Sequence, residues 1–481
     1  GWGYGIEGKA SHGAGHKLCS SGFFQALKPL VNESKKVMPH CEEEKQCSGP
    51  QGPIVREECF WQALGVVRNE LAKHTDMLDF FAKQLKSSKQ RLTDRPRTAR
   101  HNAPRLAAAY EAAQMENGNI PSEFILEPGT STTLRAELGK VLNYYNQKSN
   151  GAFLVASADL MGSTSVDKTG HGFGQGFFNA ATNPETRLFA GGGICEDAIS
   201  GLVSGLGTYG EHIGIASSYA AFMAPLGHIA ARLHAIGNQA RQAISREAYR
   251  PMILVCAHAG LKTGEDGPTH ADPQALQLLQ ENFPQGTIYT LTPWDPQELW
   301  TLMTTSLAHR PAIIAPFVTR PNEIVPDRTS LELAPATAAR TGIYLLKPAE
   351  DVKAPSLVLQ GSGVSMTFIN NVLPGLLEQG LDLNIYYVAC AEIFNALPES
   401  EQMRIFPESQ ARKAMGITGF TLPTMYKWIR SDLGRKMTLH PYQKGHYLGS
   451  GQADMVLSEA GLDPKGQYDG IKRFLDASAK K

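Results

Sequence analysis

The segment Gly264 to His270, Gly-Glu-Asp-Gly-Pro-Thr-His, places two carboxylates and a histidine in one loop shaped by glycine and proline. It follows the apolar run Met252–Ala257, whose composition predicts a buried parallel strand. Open α/β sheets bind ligands at the carboxyl ends of their strands. Acidic and histidine side chains there can bind hydroxyl groups and move protons near neutral pH. We therefore predict a polar ligand site at this loop, with His258 at the strand end as part of it.

Glu196 is a second acidic residue with a chemical context, because it follows the glycine turn Gly191 to Gly193 and begins an Ala- and Gly-rich segment. Glycines let a ligand approach the backbone, and the N-terminus of a helix stabilises negative charge. Glu196 can therefore cap its own helix or lie as an acid beside a ligand that approaches the glycine turn. The spacing alone leaves both interpretations open.

Three further residues have side chains suited to an anion. Ser163 closes the segment 157–163, Ser-Ala-Asp-Leu-Met-Gly-Ser, which leaves a predicted strand and also contains Asp159. Arg135 and Arg320 each carry a planar guanidinium that can donate paired hydrogen bonds to phosphate. On residue type alone, Ser163 is a turn hydroxyl and each arginine a solvated surface group.

Alternating strands and helices are predicted to position these residues. The predicted strands of a first block are Phe153–Ser157, Arg187–Ala190, His212–Ala216, Met252–Ala257, Thr287–Leu291 and Ala312–Pro316. Those of a second block are Gly342–Leu345, Ser356–Gln360 and Leu383–Ala389. Helices are predicted at Asp197–Leu206, Ala220–His234 and Val364–Glu378. This alternation predicts an α/β fold of tandem doubly wound, mostly parallel sheets.

The amino-terminal part has a different character. Residues 1–58 are predicted to be loop-like, residues 59–90 show helical apolar spacing, and Lys86–Arg105 is predicted to be a basic linker or solvated face. Residues 106–150 are predicted to be helical. We therefore expect a helical N-terminal region before the α/β blocks.

Composition excludes several classes of protein. The 481 residues include 46 basic and 46 acidic ones, which argues against a protein that binds nucleic acid or a membrane surface by charge. No apolar run approaches the ~18–20 residues that span a bilayer, and the start does not resemble a signal peptide. Of seven cysteines, Cys19, Cys41, Cys47 and Cys59 lie nearest one another, with spacing that fits neither a zinc site nor a compact disulfide framework. Reduced thiols in a cytoplasmic enzyme are expected.

These motifs resemble those of the transketolases, the thiamine-diphosphate-dependent sugar enzymes. The resemblance rests on the Gly264–His270 loop, on the segment 157–163 and on Glu196 after its glycine turn. It covers nearly the whole chain but only part of a full transketolase. The domains that it implies are a remnant of the diphosphate-binding domain with a helical linker region (1–125), a pyrimidine-binding domain (126–325) and a C-terminal domain (340–481).

The resemblance implies a cofactor site around Glu196. Its carboxylate would contact the aminopyrimidine ring of thiamine diphosphate and favour the tautomer that activates the cofactor. Asp159 would lie near the cofactor at a subunit interface, and Tyr219 and Phe222 would supply aromatic contacts to the ring. His12, in a Ser-His-Gly-Ala segment, would lie over the diphosphate and the substrate. Without the resemblance, the segment around His12 is simply a glycine-rich terminus.

The resemblance also implies a sugar phosphate as substrate. Its phosphate would be bound by Arg135, Ser163 and Arg320. Its hydroxyl groups would be contacted by Asp266, His270 and His258. The catalytic residues implied are Glu196, His258, His270 and His12. The reaction implied is transfer of a two-carbon ketol unit from a ketose phosphate to an aldose phosphate by way of the cofactor ylid.

The chain departs from the family at the metal site. The family's Gly-Asp-Gly segment, followed some residues later by Asn, holds Mg²⁺ and the diphosphate, and no second such motif follows a strand here. We therefore expect the metal ligands outside this chain, on a partner chain or a missing segment. This implies a homodimer or a hetero-oligomer with a chain that carries the diphosphate-binding domain, with no nucleic acid or membrane partner.

Two other functions stay open. Ile213 and Ala216 replace aromatic residues that the family uses around Tyr219, which favours a change in cofactor contact. The chain could therefore be another thiamine-diphosphate enzyme, such as a phosphoketolase or a β-type subunit of a 2-oxoacid dehydrogenase. It could also be a non-catalytic assembly subunit that kept the fold.

Overall fold

The computed structural model describes residues 5–7, 15–35, 47–95, 100–262, 267–270 and 272–479. The chain divides into two compact units, Gly1–Arg100 and His101–Lys481. Several residues singled out in the sequence lie outside the described ranges, namely His12, Cys41, Gly264, Glu265 and Asp266. Within the described part of the chain, no helix is long and apolar enough to cross a membrane.

The first unit is helical and contains α1 (Ser21–Ser34), α2 (Gly52–Lys73) and α3 (Thr75–Asp94). The Ser20 hydroxyl accepts a hydrogen bond of 3.3 Å from Phe23 N and caps α1. The prediction that residues 1–58 are loop-like is therefore wrong for α1 and for the start of α2. Pro29 inside α1 weakens the helical signal of that segment. The basic stretch that begins at Lys86 is helical as far as Asp94, and no residue of this helix is buried, which agrees with a solvated face there rather than a linker.

Cys19 and Cys47 form a disulfide in the first unit, with their Cα atoms 6.3 Å apart. The expectation of reduced thiols is therefore wrong for this pair. Spacing could not reveal the bond, because 28 residues separate the two cysteines in sequence and the packing of α1 against α2 brings them together. Both lie in a small buried cluster with Cys59, Ala63 and Val66 of α2.

Helical spacing in residues 59–90 is confirmed by α2 and α3, but many of its apolar side chains are exposed. Phe60 and Leu64 of α2 and Phe80, Phe81 and Leu85 of α3 are among them. No residue of α3 is buried. The periodicity therefore indicates the helices correctly without indicating a core around α3.

The second unit alternates strands and helices, as predicted. Its helices are α4 (Leu106–Met115), α5 (Leu134–Lys148), α6 (Glu196–Tyr209), α7 (Ala231–Ser245), α8 (Ala275–Leu279), α9 (Glu298–His309), α10 (Ser362–Thr367), α11 (Leu373–Glu378), α12 (Ala391–Ala396), α13 (Glu399–Ile405), α14 (Glu408–Arg412), α15 (Asp432–Met437), α16 (Ala453–Ala460) and α17 (Pro464–Ser478). Its strands are β1 (Ser131–Thr132), β2 (Phe153–Ser157), β3 (Leu188–Ala190), β4 (Ile213–Tyr219), β5 (Met252–Ala257), β6 (Ile288–Leu291), β7 (Ile313–Pro316), β8 (Glu323–Ile324), β9 (Ile343–Lys347), β10 (Ser356–Gln360), β11 (Asn384–Val388) and β12 (Ala414–Thr418).

A six-stranded sheet of order β3-β2-β4-β5-β7-β6 forms the first part of this unit, and all its neighbouring strands are parallel. Each of the six coincides with a predicted strand. β4 continues beyond its predicted end through Ser217 and Ser218 to Tyr219, all of them buried. Polar residues inside a buried strand interrupt the apolar run, so the sequence pattern ended too early.

A four-stranded sheet of order β12-β10-β11-β9 follows, in which β9 is antiparallel to β11 and the other pairs are parallel. Three of these strands were predicted and β12 was not. Its residues Ala, Met and Gly have weak strand preference. A Cβ at Gly416 would lie 2.8 Å from Met425 Cε and 3.0 Å from Thr438 Cγ2, so the glycine marks a place of close packing in the strand.

The helix predicted over Ala220–His234 is interrupted. A 3₁₀ turn at Ala220–Phe222 is followed by the π-helical segment Ala224–Ala230, and α7 begins only after it. Pro225 lies near the start of the π-helical segment, where it removes a backbone donor. Phe222 is therefore held on a short turn directly after β4.

A buried ion-pair cluster lies where the two sheet domains of the second unit meet. Arg328 donates to Asp295 at 2.8 Å and to Glu298 at 2.9 Å, and both carboxylates are fully buried. Tyr344 of β9 donates its hydroxyl to Glu298 and accepts a 2.9 Å hydrogen bond from Trp294 Nε1. Burial raises the pKa of Glu298 to about 6; Arg328 opposes this shift and Asp295 adds to it.

Candidate active site

The carboxyl edge of the six-stranded sheet gathers most of the described site residues. β2 ends at Ser157, β4 at Tyr219 and β5 at Ala257. These ends are neighbours, since Ser157 pairs with Ser217 and Tyr219 pairs with Ala257. Parallel sheets bind their ligands at this edge.

Glu196 is the first residue of α6 and is half-buried. The hydroxyl of Ser218, a buried residue of β4, donates a 2.9 Å hydrogen bond to Glu196 Oε1. Its carboxylate is thus turned toward the sheet edge instead of capping α6. Gly192 and Gly193 adopt φ values of 73° and 153°, which need glycine and form the turn into the helix. A carboxylate fixed by one oxygen at a helix N-terminus can share a proton with a ligand nitrogen through the other.

His258 follows β5 directly and has a φ of 56°, an uncommon conformation for a residue with a side chain. Its ring is fully buried and stacks on Tyr219, with the ring centroids 3.5 Å apart and the planes inclined by 15°. The Tyr219 hydroxyl donates to Ser163 Oγ at 3.0 Å, and Ser163 Oγ donates to Leu160 O at 3.1 Å. The structure therefore brings His258, Tyr219 and Ser163 into one connected group.

His270 is a second histidine in contact with Tyr219. Its ring centroid is 5.7 Å from that of Tyr219 and 5.5 Å from that of Phe222, edge to face in both cases. Its Nδ1 is 2.8 Å from Thr269 Oγ1, and its carbonyl oxygen accepts a 3.2 Å hydrogen bond from Ala221 N. Tyr219 therefore contacts both site histidines, and Phe222 contacts His270.

Arg135 is the second residue of α5 and donates to the backbone carbonyl oxygen of Ser163. Burial lowers the pKa of Arg135, and the neighbouring positive charge of Arg320 lowers it further. Two cations are thus close enough to repel each other beside Ser163. An anion such as a phosphate would relieve that repulsion.

A short antiparallel ribbon links the two arginines. β1 pairs with β8, with Thr132 opposite Glu323. Arg135 follows β1 closely and Arg320 precedes β8 closely. Neither strand was predicted, because strands of two residues have no periodic signal.

Lys262 and Glu323 form an ion pair beside this ribbon that sequence reasoning missed. Lys262 Nζ lies 2.6 Å from Glu323 Oε2, and the side chains are 18% and 3% exposed. Burial raises the pKa of Glu323, and Lys262 opposes that shift. In the sequence, the only sign of this pair was that a lysine lies next to the Gly264–His270 loop and a glutamate lies close to Arg320.

Asp159 differs from the other predicted residues because it is exposed, two residues beyond β2. Its place at a subunit interface stays a prediction. His12 and Asp266 were also predicted for the site, and they lie outside the described residues.

The described residues fit one half of thiamine diphosphate better than the other. A half-buried carboxylate and aromatic rings are present for the aminopyrimidine ring. In the described ranges, no group of three or more His, Cys, Asp or Glu side chains could hold a metal ion. Those residues therefore do not fit a divalent cation with its diphosphate, which needs several oxygen ligands.

Comparison with known proteins gives a family for this domain. Residues 131–322 match the transketolase pyrimidine binding domain. The transketolase of Bacillus subtilis is 25% identical over 335 residues, which are 65% of this chain and 44% of that protein. The transketolase of Rhodobacter capsulatus is 24% identical over 225 residues, which are 47% of this chain and 32% of that protein. The chain thus spans less than half the length of these relatives.

A solved structure shows the same fold. The transketolase of Pichia stipitis, in complex with sedoheptulose-7-phosphate, superimposes with a TM-score of 0.59 at 18% identity. The superposition covers 92% of this chain and 57% of that one. Residues 131–322 thus match a transketolase pyrimidine-binding domain in sequence, and the chain has the fold of the carboxyl-terminal portion of transketolases.

Proposed function

We propose that this chain takes part in a transketolase-type reaction, in which a two-carbon ketol unit passes from a ketose phosphate to an aldose phosphate. The observation that carries the proposal is the Glu196 carboxylate, held by Ser218 at the carboxyl edge of a transketolase pyrimidine-binding domain. Thiamine diphosphate supplies, when bound, the carbon nucleophile for a ketone carbonyl. The chain's own residues bind, orient and move protons around that reaction.

Glu196 would hold the aminopyrimidine ring by sharing a proton with a ring nitrogen. Ser218 supports this role because its hydroxyl fixes one carboxylate oxygen and so orients the other. Phe222 is half-buried beside His270 and would contact the ring, while Tyr219 has one ring face already covered by His258. Tyr219 would therefore act by positioning His258 and Ser163.

Arg135, Ser163 and Arg320 would bind the phosphate of the sugar. The mutual repulsion of the two arginines supports an anionic ligand, and the Pichia stipitis relative is a complex with a phosphorylated sugar. His258 and His270 flank the same tyrosine and would contact the sugar hydroxyl groups and move protons between them.

We further propose that the metal and the diphosphate are bound by another chain or by a segment outside this sequence. The coverage of less than half of the relatives supports this arrangement. Apolar side chains at and around α6 and α7 support a partner surface there, because they are largely exposed: Ile194, Tyr209, Leu233, Ile236 and Ile244. A homodimer or a hetero-oligomer would cover them, in the cytoplasm where sugar phosphates are metabolised.

The test is an assay of ketol transfer from xylulose 5-phosphate to ribose 5-phosphate. The native assembly would be supplied with thiamine diphosphate and Mg²⁺. Glu196→Gln should lower the rate at least ~100-fold, the usual contribution of a positioned acid or base. Asp197→Asn is the matched control, since it lies in the same helical turn and is exposed. Equal rates for Glu196→Gln and the unmodified protein would contradict the proposal.

The same assay separates the alternatives. Release of acetyl phosphate from the donor would indicate a phosphoketolase, and turnover of a 2-oxoacid would indicate a dehydrogenase subunit. A native assembly that neither binds thiamine diphosphate nor transfers a ketol unit would identify a non-catalytic subunit. The lack of a metal-binding group in the described ranges is the observation that favours this last alternative.

A further inference from the structure

The Lys262–Glu323 ion pair is buried, which sets it apart from ordinary surface pairs. The lysine donates to Glu323 Oε2 at 2.6 Å. Among the described residues, the second oxygen, Oε1, is also buried and has no hydrogen-bond partner. The negative charge of the Glu323 carboxylate is therefore balanced by Lys262. Removal of the lysine would leave this buried charge unpaired.

Lys262 belongs to the histidine segment, which we define as residues 258–262 and 267–270, the parts of this stretch that the structure describes. The stem of the lysine is held from a second direction by the C-terminal sheet domain. A Cβ at Gly363 would lie 2.6 Å from Lys262 Cβ, so the start of α10 packs directly on the lysine. Lys262 is thus held between α10 and β8.

Glu323 belongs to the arginine ribbon, which we define as residues 131–135 with 320–324. It lies opposite Thr132 in the pairing of β1 with β8. The Thr132 hydroxyl donates to Glu137 Oε1 at 2.6 Å and anchors the ribbon on the first turn of α5. This ion pair therefore connects the segment that carries His258 with the ribbon that carries both arginines, next to the 3.1 Å hydrogen bond from Ala259 N to Val318 O.

We propose that Lys262 and Glu323 are positioning residues that fix the histidine segment relative to the arginine ribbon. A phosphorylated sugar must reach the histidines with its hydroxyl groups and the arginines with its phosphate at the same time. The ion pair sets the distance between the histidines and the arginines, so that one sugar phosphate can contact both. The ligand in this inference rests on the proposed function, whereas the link between the two segments does not.

The test compares Lys262→Met, Glu323→Gln and the conservative Lys262→Arg in the full chain within its native assembly. The affinities for ribose 5-phosphate and for thiamine diphosphate with Mg²⁺ are measured separately by calorimetry. Lys262→Met and Glu323→Gln should weaken ribose 5-phosphate binding by up to roughly 100-fold, because small displacements of binding groups have effects of that size. Thiamine diphosphate binding should stay unchanged, and Lys262→Arg should restore most of the sugar-phosphate affinity.

Lys347→Met is the matched control, because Lys347 is also a largely buried lysine paired with a glutamate, Glu332, but lies on β9. Unchanged ribose 5-phosphate affinity in Lys262→Met and Glu323→Gln, with a lower melting temperature, would overturn the inference and leave the pair a structural one. If Lys262→Met does not fold, Glu323→Gln decides by the same criterion.

A failure of the proposed function gives a different result. If the unmodified protein binds no sugar phosphate, hydrogen–deuterium exchange of the histidine segment becomes the readout. Faster exchange there in Glu323→Gln than in the unmodified protein would keep the positioning role. Equal exchange would overturn it.

Discussion

Arg135 makes two interactions that its sequence context does not reveal. Its guanidinium donates to the Ser163 carbonyl oxygen and lies close enough to Arg320 for their charges to repel. Two neighbouring cations attract an anion more strongly than either cation would alone. The phosphate site that we propose is therefore best examined through Arg135.

We predict that Arg135→Met raises the Kd for ribose 5-phosphate about 10- to 100-fold, since a hydrogen bond to a charged group contributes about 1.5–3 kcal/mol. Arg135→Lys should have an intermediate effect, because lysine keeps the charge and loses the planar pair of donors. Calorimetry on the native assembly measures both. Arg404→Met, an exposed position on α13, serves as the control. A Kd that is the same in all four proteins would rule out a phosphate role.

For the residues of the candidate site, the sequence predicted which residue types are present better than it predicted the contacts between them. The Tyr219–Ser163 hydrogen bond and the Tyr219–His258 stack join residues far apart in the chain, so no local pattern contained them. The partner of Glu196 is Ser218, which was overlooked because β4 was predicted to end before it.

The segment with α1 and α2 is cross-linked by a disulfide bond. The described residues of the second unit contain no disulfide. The disulfide Cys19–Cys47 closes a loop of 28 residues around a small buried cluster. A cluster of this size supplies little hydrophobic stabilisation, so the cross-link matters more to the first unit.

We predict that reduction, or the Cys19→Ser change, destabilises the first unit by about 2–4 kcal/mol and leaves the unfolding of the second unit unchanged. Denaturation followed by proteolytic fragment analysis assigns each transition to its unit. Cys195→Ala, a free cysteine of the second unit, is the control. Alkylation of Cys19 and Cys47 in freshly isolated, unreduced protein would instead show that the bond is absent in the cell, as a reducing cytoplasm would favour.

The elements themselves were predicted where apolar runs were long and continuous. The bounds of β2, β5 and β10 agree with the sequence pattern, since each strand is buried throughout. β1, β8 and β12 were missed because β1 and β8 are very short and β12 begins with Ala, Met and Gly, which leaves only Ile417 and Thr418 as strong strand formers. The interruption of the helix after β4 arises at Pro225, which an Ala- and Gly-rich composition concealed.

The buried ion-pair cluster around Arg328 should make the stability of the second unit depend on pH. One guanidinium serves two buried carboxylates, and the pKa of Glu298 rises to about 6 because of burial. A carboxyl group whose pKa is raised by folding stabilises the folded state below its unfolded pKa. That contribution is lost as the pH rises through the folded pKa.

We therefore compare the unfolding free energy of the unmodified protein with that of Glu298→Gln. We predict that the unmodified protein loses about 2 kcal/mol of stability relative to the variant as the pH rises from ~4.5 to ~6.5. Urea denaturation followed by tryptophan fluorescence suits the measurement, because Trp294 donates to Tyr344 within the cluster. Arg328→Met should be far more damaging, by about 3–5 kcal/mol, since it leaves both carboxylates uncompensated. A difference between the two proteins that is constant with pH would contradict the assignment of the raised pKa to Glu298.

The pairing of β1 with β8 has a consequence for the topology of the domain at 131–322. Since the ribbon joins the first residues of that domain to its last ones, the two ends of the domain lie side by side. Domains whose ends meet in this way tolerate circular permutation and insertion into other proteins. A permuted chain, opened in the exposed turn after α7 and closed by a short linker across β1 and β8, should therefore still assemble the parallel sheet.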